Sequence, residues 1–423
     1  MVPLIIDHVP KRLHFRQIGG SHASNVGMGR CRGPVHNSSD QSTEIDYRKR
    51  LFRVFDRLSK HDDLAPGEAE FAAKVILDGL ASNRVDVSDL LIGFFGGLTI
   101  KDPTLNELTG MAAAMEATKK FRFHFNANKP LVTAGGTGGD TIPTINVTTP
   151  AVIVAAAAGS YALKSGARAF SSKTGSSDLA DCLGINVNAS REVVESCVEK
   201  IRTTVWASEG VYPWMKPLIE LGRRESVATS MPLLYSLRLM IATALNPFSI
   251  KRQVRGVSKP FTEKVATVLR NCGYEKALVV LGQGKSEEVR IDEFSCAGKS
   301  IVSELKPNGI IDTYTVRPED VGLRTGKIED FTARSSHIEN AQVALGVLSG
   351  SDRTVRRDLI LLNAASIIYT ADDVKTLKDG FELASQSVDE GKALDELRRL
   401  VVLSGGRTEK LEFIERSMKS RLV

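Results

Sequence analysis

The sequence predicts an α/β protein in which a small N-terminal helical domain precedes a larger α/β domain. Three observations carry this. Apolar and polar residues alternate at a spacing of three to four over residues 47–58, 65–81, 87–99 and 105–120, before any strand pattern. Two glycine-rich and hydroxyl-rich loops, residues 136–149 and 164–178, then follow with one helix–strand unit between them. Finally, Lys276-Ala-Leu-Val-Val-Leu-Gly282 reads as a buried strand ending in a Gly-Gln-Gly turn, where open sheets carry their binding groups.

The first 44 residues read as a flexible basic tail. Residues 1–40 carry Lys11, Arg12, Arg16, Arg30 and Arg32 against Asp7 and Asp40, without sustained periodicity. This basic, serine-containing stretch is also compatible with a transit peptide, and Met28 offers an internal start. Residues 45–122 form the helical domain, interrupted at Asp102-Pro103 and completed by helices in about 210–247. Residues 123–209 and 248–423 form the α/β domain.

Residues 136–149 combine Gly136, Gly138 and Gly139 with Asp140, Asn146 and several threonines, followed by Pro150 and the uncharged run 151–158. This is a phosphate cradle opening a helix. The glycines can take positive φ and bring backbone amides close to an anion, while Asp140 can hold a ribose hydroxyl or a hydrated metal. Thr148 or Thr149 suits an N-cap and Pro150 the first helical position, so the positive helix end faces the bound group. The second loop, with Lys164, Arg168, Lys173 and five serines around Gly166 and Gly175, is another anion nest.

A β-like segment at 203–206 and a helical stretch over 211–247 follow, then the strand at 276–282. Just beyond it stand Glu287 and Glu288. An adjacent carboxylate pair reads by itself as an exposed acidic turn, and its place after a central strand brings a metal ligand set level with that reading. Residues 340–348, 356–370 and 374–403 are helical and cover the sheet.

Composition excludes several classes. The five cysteines form no CxxC pair and the seven histidines no HxH or HExxH pattern, so neither a disulfide framework nor a histidine-bound metal is indicated, and a reducing cytoplasm is expected. No run approaches ~18 apolar residues, so no membrane span is expected. The net charge of +6 is spread among 50 acidic residues without a nucleic-acid motif, and fits attraction of a small polyanion better than nucleic-acid binding.

Gly136-Thr-Gly-Gly-Asp140, Thr144-Ile-Asn-Val-Thr-Thr149, Lys164-x-Gly-x-Arg168 and Ser171-Ser-Lys-Thr-Gly-Ser-Ser-Asp178 together resemble the signature loops of the anthranilate phosphoribosyltransferase family. That family shares the glycosyltransferase family 3 fold with pyrimidine nucleoside phosphorylases. The likeness runs from about Tyr47 to the C-terminus, through Glu287-Glu-Val289, Pro318-Glu-Asp-Val-Gly-Leu323 and Leu362-Asn-Ala-Ala365. It implies a mostly parallel central sheet surrounded by helices and a homodimer formed through the helical domain. It further implies magnesium-dependent displacement of pyrophosphate from 5-phosphoribosyl 1-diphosphate by an aromatic amine, in tryptophan biosynthesis. Carried over by motif, Gly136, Gly139, Asp140 and Thr144 would contact the sugar diphosphate, and Asn146, Val147, Thr148 and Thr149 would hold phosphate. Lys164, Gly166, Arg168, Ser171, Ser172 and Ser176 would complete the cage. Thr148 stands at the place of a magnesium-ligating serine, and Glu287 and Glu288 would hold a second Mg2+.

The acceptor side departs from that pattern. Where the family reads His-Gly-Asn-Arg after the lysine, the chain has Ser165, Gly166, Ala167 and Arg168, so the asparagine contact to anthranilate is lost at Ala167. The family's carboxylate-binding arginine falls on Gly222, with Arg223 one step away and Arg224 and Arg238 as further candidates. Loss of such a partner costs about 2–5 kcal/mol, enough to change the acceptor. The expected functions are therefore phosphoribosyl transfer to anthranilate or, with the same donor, to another aromatic or heterocyclic acceptor. A nucleoside phosphorylase and a non-catalytic nucleic-acid binder on the same fold rank lower.

Overall fold

The computed structural model describes residues 38–166, 175–222 and 235–419. It falls into two units, residues 1–49 and 50–423. The first is described from residue 38, where the helix Ser38–Ser59 begins within the stretch expected to be a tail; the rest of that tail lies outside the described residues.

In the second unit the helices Pro66–Ala81, Val87–Lys101 and Leu105–Ala117 precede the first strand. The break at Asp102-Pro103 has a local cause: Asp102 takes φ 66°, and Thr104 caps the next helix by accepting from the Glu107 N–H at 3.3 Å. Helix Tyr235–Ala244 packs on Val87–Lys101 and Leu105–Ala117, and helix Met215–Gly222 on Pro66–Ala81.

Among the described residues eight strands form one sheet: β1 (Leu131–Gly136), β2 (Tyr161–Gly166), β3 (Thr203–Ala207), β4 (Arg252–Gly256), β5 (Lys276–Gln283), β6 (Arg290–Ile291), β7 (Ser300–Leu305) and β8 (Ile311–Val316). The order is β3-β2-β1-β4-β5-β7-β8, with β6 also on β5. Strands β1 to β5 pair in parallel, while β6, β7 and β8 are antiparallel additions. The hairpin β7–β8 and the strand β4 are absent from the sequence reading. Their residues mix polar with apolar without a regular period and lack the continuous apolar run that exposes β5.

Alternation along β5 divides the core. Ala277, Val279 and Leu281 join the cluster that includes Phe94, Phe95, Tyr212 and Trp214, whereas Leu278 and Val280 face the cluster built with the C-terminal helices. In that second layer helix Thr148–Ala157 is buried from Thr149 to Ala156 and packs against helices Val355–Thr370 and Lys392–Leu403. The continuous stretch expected over 374–403 is instead two helices, Leu377–Asp389 and Lys392–Leu403, separated at Gly391, whose φ is 78°.

Strand connections run outward in opposite senses from β1 and from β4, so a crevice opens between these two neighbours at their C-terminal ends. Gly136 at the end of β1 and Gly256 at the end of β4 border this crevice. Among the described residues no helix is long and apolar enough to cross a membrane.

Candidate active site

β1 ends at Gly136, and the chain turns through Gly138 and Gly139, at φ 68° and 87°, into Asp140. Gly136 itself is not at positive φ. Its lack of a side chain serves a carboxylate of the protein: a Cβ there would collide with Asp292 Oδ2. Gly256, at the end of β4, makes room for the same residue, since its Cβ would meet the Asp292 carbonyl oxygen. Asp292 thus crosses the crevice between β1 and β4.

Three hydrogen bonds lock this crossing. The Gly138 N–H donates to Asp292 Oδ2 at 2.5 Å, the Asp292 N–H donates to Asp140 Oδ1 at 2.9 Å, and Thr144 Oγ1 donates to Asp140 Oδ2 at 3.0 Å. Glu293 follows, with Thr148 Oγ1 donating to its Oε1 at 3.3 Å. Behind it, Asn363 clasps the Phe294 backbone, accepting from its N–H at 3.0 Å and donating to its carbonyl at 3.2 Å. Oxygens of Asp140, Asp292 and Glu293 all lie within 4.8 Å of one another.

A cavity of about 510 Å³ opens on this cluster. Asn146, Val147, Thr148 and Thr149 line one side, Lys164 and Ser176 another, and Asp140, Asp292 and Glu293 the floor. The helix after the glycine turn begins at Thr148, two residues earlier than the sequence indicated, with Val147 at the N-cap and no side-chain cap. Its first amides therefore remain available to an anion. Lys164 projects from β2, buried, and donates to the Ser165 carbonyl at 3.0 Å. Gly166 ends that strand against Ser176 and Ser177, where a Cβ would come within 2.9 Å of both hydroxyls.

Burial strains these charges. It pushes the carboxyls of Asp140 and Glu293 well above the usual range, and the nearby Asp292 charge pushes both further. Burial lowers Lys164 to about 8, with the buried Arg255 guanidinium adding to the effect. Glu293 Oε2 and Thr149 Oγ1 are sealed from solvent and have no hydrogen-bond partner among the described residues. Three clustered carboxylates, an all-oxygen donor set and an orphaned carboxylate oxygen fit a hard divalent cation such as Mg2+.

The structure does not bring Glu287 and Glu288 here. Both are exposed on the turn between β5 and β6, and Glu287 pairs with Lys299 at 2.5 Å, which holds its carboxyl below the usual range. The carboxylate pair at the site is Asp292–Glu293, which the sequence reading missed. Its signal is the flanking residues: Ile291 and Phe294 enclose it, whereas Lys285 and Ser286 precede the other pair. Gly139 borders the site without lining the cavity, and Gly222 is the last residue of helix Met215–Gly222. Ala167, Arg168, Ser171, Ser172 and Arg223 lie outside the described residues.

The family model described as "Glycosyl transferase family, a/b domain" matches residues 128–394. The anthranilate phosphoribosyltransferase of Symbiobacterium thermophilum is 35% identical over 346 residues, spanning 81% of this chain and 95% of that protein. The chain belongs to the anthranilate phosphoribosyltransferase family. With that membership it is an enzyme, a glycosyltransferase of the pentosyltransferase class. Another family member, from Roseiflexus sp., is 33% identical over 345 residues, covering 81% of the chain and 95% of its own length. The crystal structure of the family enzyme from Thermus thermophilus is 29% identical and superposes with a TM-score of 0.68 over 83% of this chain and 99% of that one. The Saccharomyces cerevisiae enzyme in complex with PRPP and Mg, 21% identical, shares the fold, with a TM-score of 0.69 over 86% of this chain and 98% of its own.

Proposed function

We propose that this enzyme transfers the phosphoribosyl group of 5-phosphoribosyl 1-diphosphate to anthranilate, releasing pyrophosphate, as a cytoplasmic step of tryptophan biosynthesis. The observation that carries this is one cavity holding the uncapped start of helix Thr148–Ala157, Lys164 and the Asp140–Asp292–Glu293 cluster. A diphosphate sugar with its cation needs both signs of charge in one place, and this cavity supplies them.

Each group has a task. The free amides at the helix start and the Lys164 ammonium bind phosphate oxygens. Phosphate charge relieves the burial penalty on Lys164 and keeps it protonated. Asp292, Glu293 and Asp140, with Thr148 beside them, would hold Mg2+, which when bound neutralises the departing diphosphate. Asp140 is fixed by bonds to both carboxylate oxygens before any ligand arrives, so little reorganisation accompanies binding. In the reaction the C1–O bond to diphosphate breaks, the amine lone pair forms the C1–N bond, and the surplus amine proton passes to solvent. The amine brings its own lone pair, and no strong general base is required.

The test is incubation with the donor, Mg2+ and anthranilate. Loss of anthranilate fluorescence matched by pyrophosphate release is expected; neither signal at high enzyme concentration overturns the reading. A second reading keeps the donor and changes the aromatic acceptor. It is favoured by Ala167 and Gly222, which offer no polar side chain where the family contacts anthranilate. We also propose a homodimer through the helical region, supported by the exposed Phe52, Ile100 and Leu105. Light scattering that reports a monomer would remove that assignment.

A further inference from the structure

Two cations converge where β1 approaches the glycine turn. A Cβ on Gly135 would lie 3.5 Å from Lys164 Nζ and 3.5 Å from Arg255 Nη1, so an ammonium from β2 and a guanidinium from β4 close on one point. Neither is neutralised by the protein. Lys164 is buried and donates to the Ser165 carbonyl at 3.0 Å. Arg255 is buried too, and donates to the Leu245 carbonyl at 2.8 Å and to the Gln253 side-chain oxygen at 2.8 Å. All of these acceptors are uncharged, and neither cation has an ion pair among the described residues.

The sheet register sets this pair one step from the carboxylates. Gly135 pairs with Arg255 across β1 and β4, and Gly136 with Gly256, where Asp292 crosses. Lys164 and Asp292 line the phosphate cavity and Arg255 does not, so the guanidinium acts on the cavity through its charge. Burial lowers both cations, Arg255 adds to the lowering of Lys164 to about 8, and the Asp292 charge opposes it. Two like charges held out of water are relieved by a bound anion, and a diphosphate is one.

We propose that Arg255 is a positioning residue for the donor: its fixed charge, beside Lys164 over Gly135, raises the affinity of the cavity for the diphosphate and lowers that of the carboxylate cluster for a bare cation; this rests on the phosphoribosyl-transfer reading. Leu245 and Gln253 hold the guanidinium before any ligand arrives, so its field needs no reorganisation when the donor binds.

The experiment measures two affinities by calorimetry: pyrophosphate at saturating Mg2+, and Mg2+ alone. Arg255→Gln should weaken pyrophosphate by about 10-fold, the size of one charge acting across several ångströms of protein, and should tighten Mg2+ by about threefold. Arg255→Lys keeps the charge without the fork and should return both affinities toward wild type. The opposite signs separate this role from a structural one, in which damage to the crevice weakens both ligands together. If Arg255→Gln does not fold, Arg255→Met combined with Gln253→Leu, which removes the donor and its side-chain acceptor at once, is read by the same two titrations. Unchanged pyrophosphate affinity overturns the assignment, as does parallel weakening of pyrophosphate and Mg2+. Failure of the functional reading looks different: no aryl amine would release pyrophosphate from the donor, while the two titrations would still decide the role of Arg255.

Discussion

Glu287–Glu288 and Asp292–Glu293 are two adjacent carboxylate pairs on one short stretch of chain, and they have opposite electrostatic fates. The first sits on an exposed turn, solvated, with Lys299 as its partner. The second is carried by β6 across the crevice between β1 and β4, against Gly136 and Gly256, where it meets Asp140 in a cavity. The hydrogen bond from Lys299 favours ionisation of Glu287, whereas burial and the nearby charge of Asp292 oppose it at Glu293. The lesson is that chemistry follows the environment of a carboxylate: charge on the buried pair is not screened by water, so a bound cation stabilises it most there.

The largest expected effect comes from the buried pair. Glu293→Gln and Asp292→Asn should each lower kcat/KM by about 1,000-fold, the scale of losing a charged group that organises a leaving-group site. Pyrophosphate release measures this, and near-normal rates would erase the distinction between the pairs. Next is the support behind them. Asn363→Leu leaves the buried Phe294 N–H and carbonyl unpaired, a loss of about 1–3 kcal/mol of stability by denaturant unfolding. It should also weaken Mg2+ binding, read by calorimetry; an unchanged affinity would show that Asn363 does not position Glu293.

A third prediction concerns pH. Asp140 and Glu293 have raised values in the fold, so the folded protein keeps protons that the unfolded chain has released. The metal-free protein therefore loses stability as pH rises from the ordinary carboxylate range through the raised values. Mg2+ relieves that repulsion, and the rise in Tm it causes should grow with pH across this window and shrink on chelation. Lys164 titrates at about 8, so the window is best read below that point. A Mg2+ shift independent of pH would place the ion elsewhere. The smallest effect belongs to the exposed pair: Glu287→Gln with Glu288→Gln should leave turnover within about twofold, because exposed pairs contribute little. A large loss there would invert the comparison.

Much of this site is legible along the chain. The glycine turn, Asp140, Thr144, the run from Asn146 to Thr149, Lys164 and Ser176 are local signals, because phosphate binding depends on backbone amides and short polar side chains within a few residues. The helices of the N-terminal region and the buried strand β5 are likewise written in local periodicity. Asp292 and Glu293 were not recoverable in the same way. Asp292 meets Asp140 across 152 positions of chain, and the apolar neighbours Ile291 and Phe294 signal burial of the pair without naming its partner. Gly136 shows the same limit: it lines the cavity and also makes room for Asp292, a distant partner that no local pattern names.

By itself, then, the amino-acid order determined the fold class, the glycine turn that opens the cavity and the family, since each rests on short-range periodicity or contiguous motif. Only the tertiary structure decided which carboxylates meet, and that Arg255 stands with Lys164 over Gly135. Those outcomes depend on desolvation and on charges brought together from distant strands, and both exist only once the sheet has closed the crevice between β1 and β4.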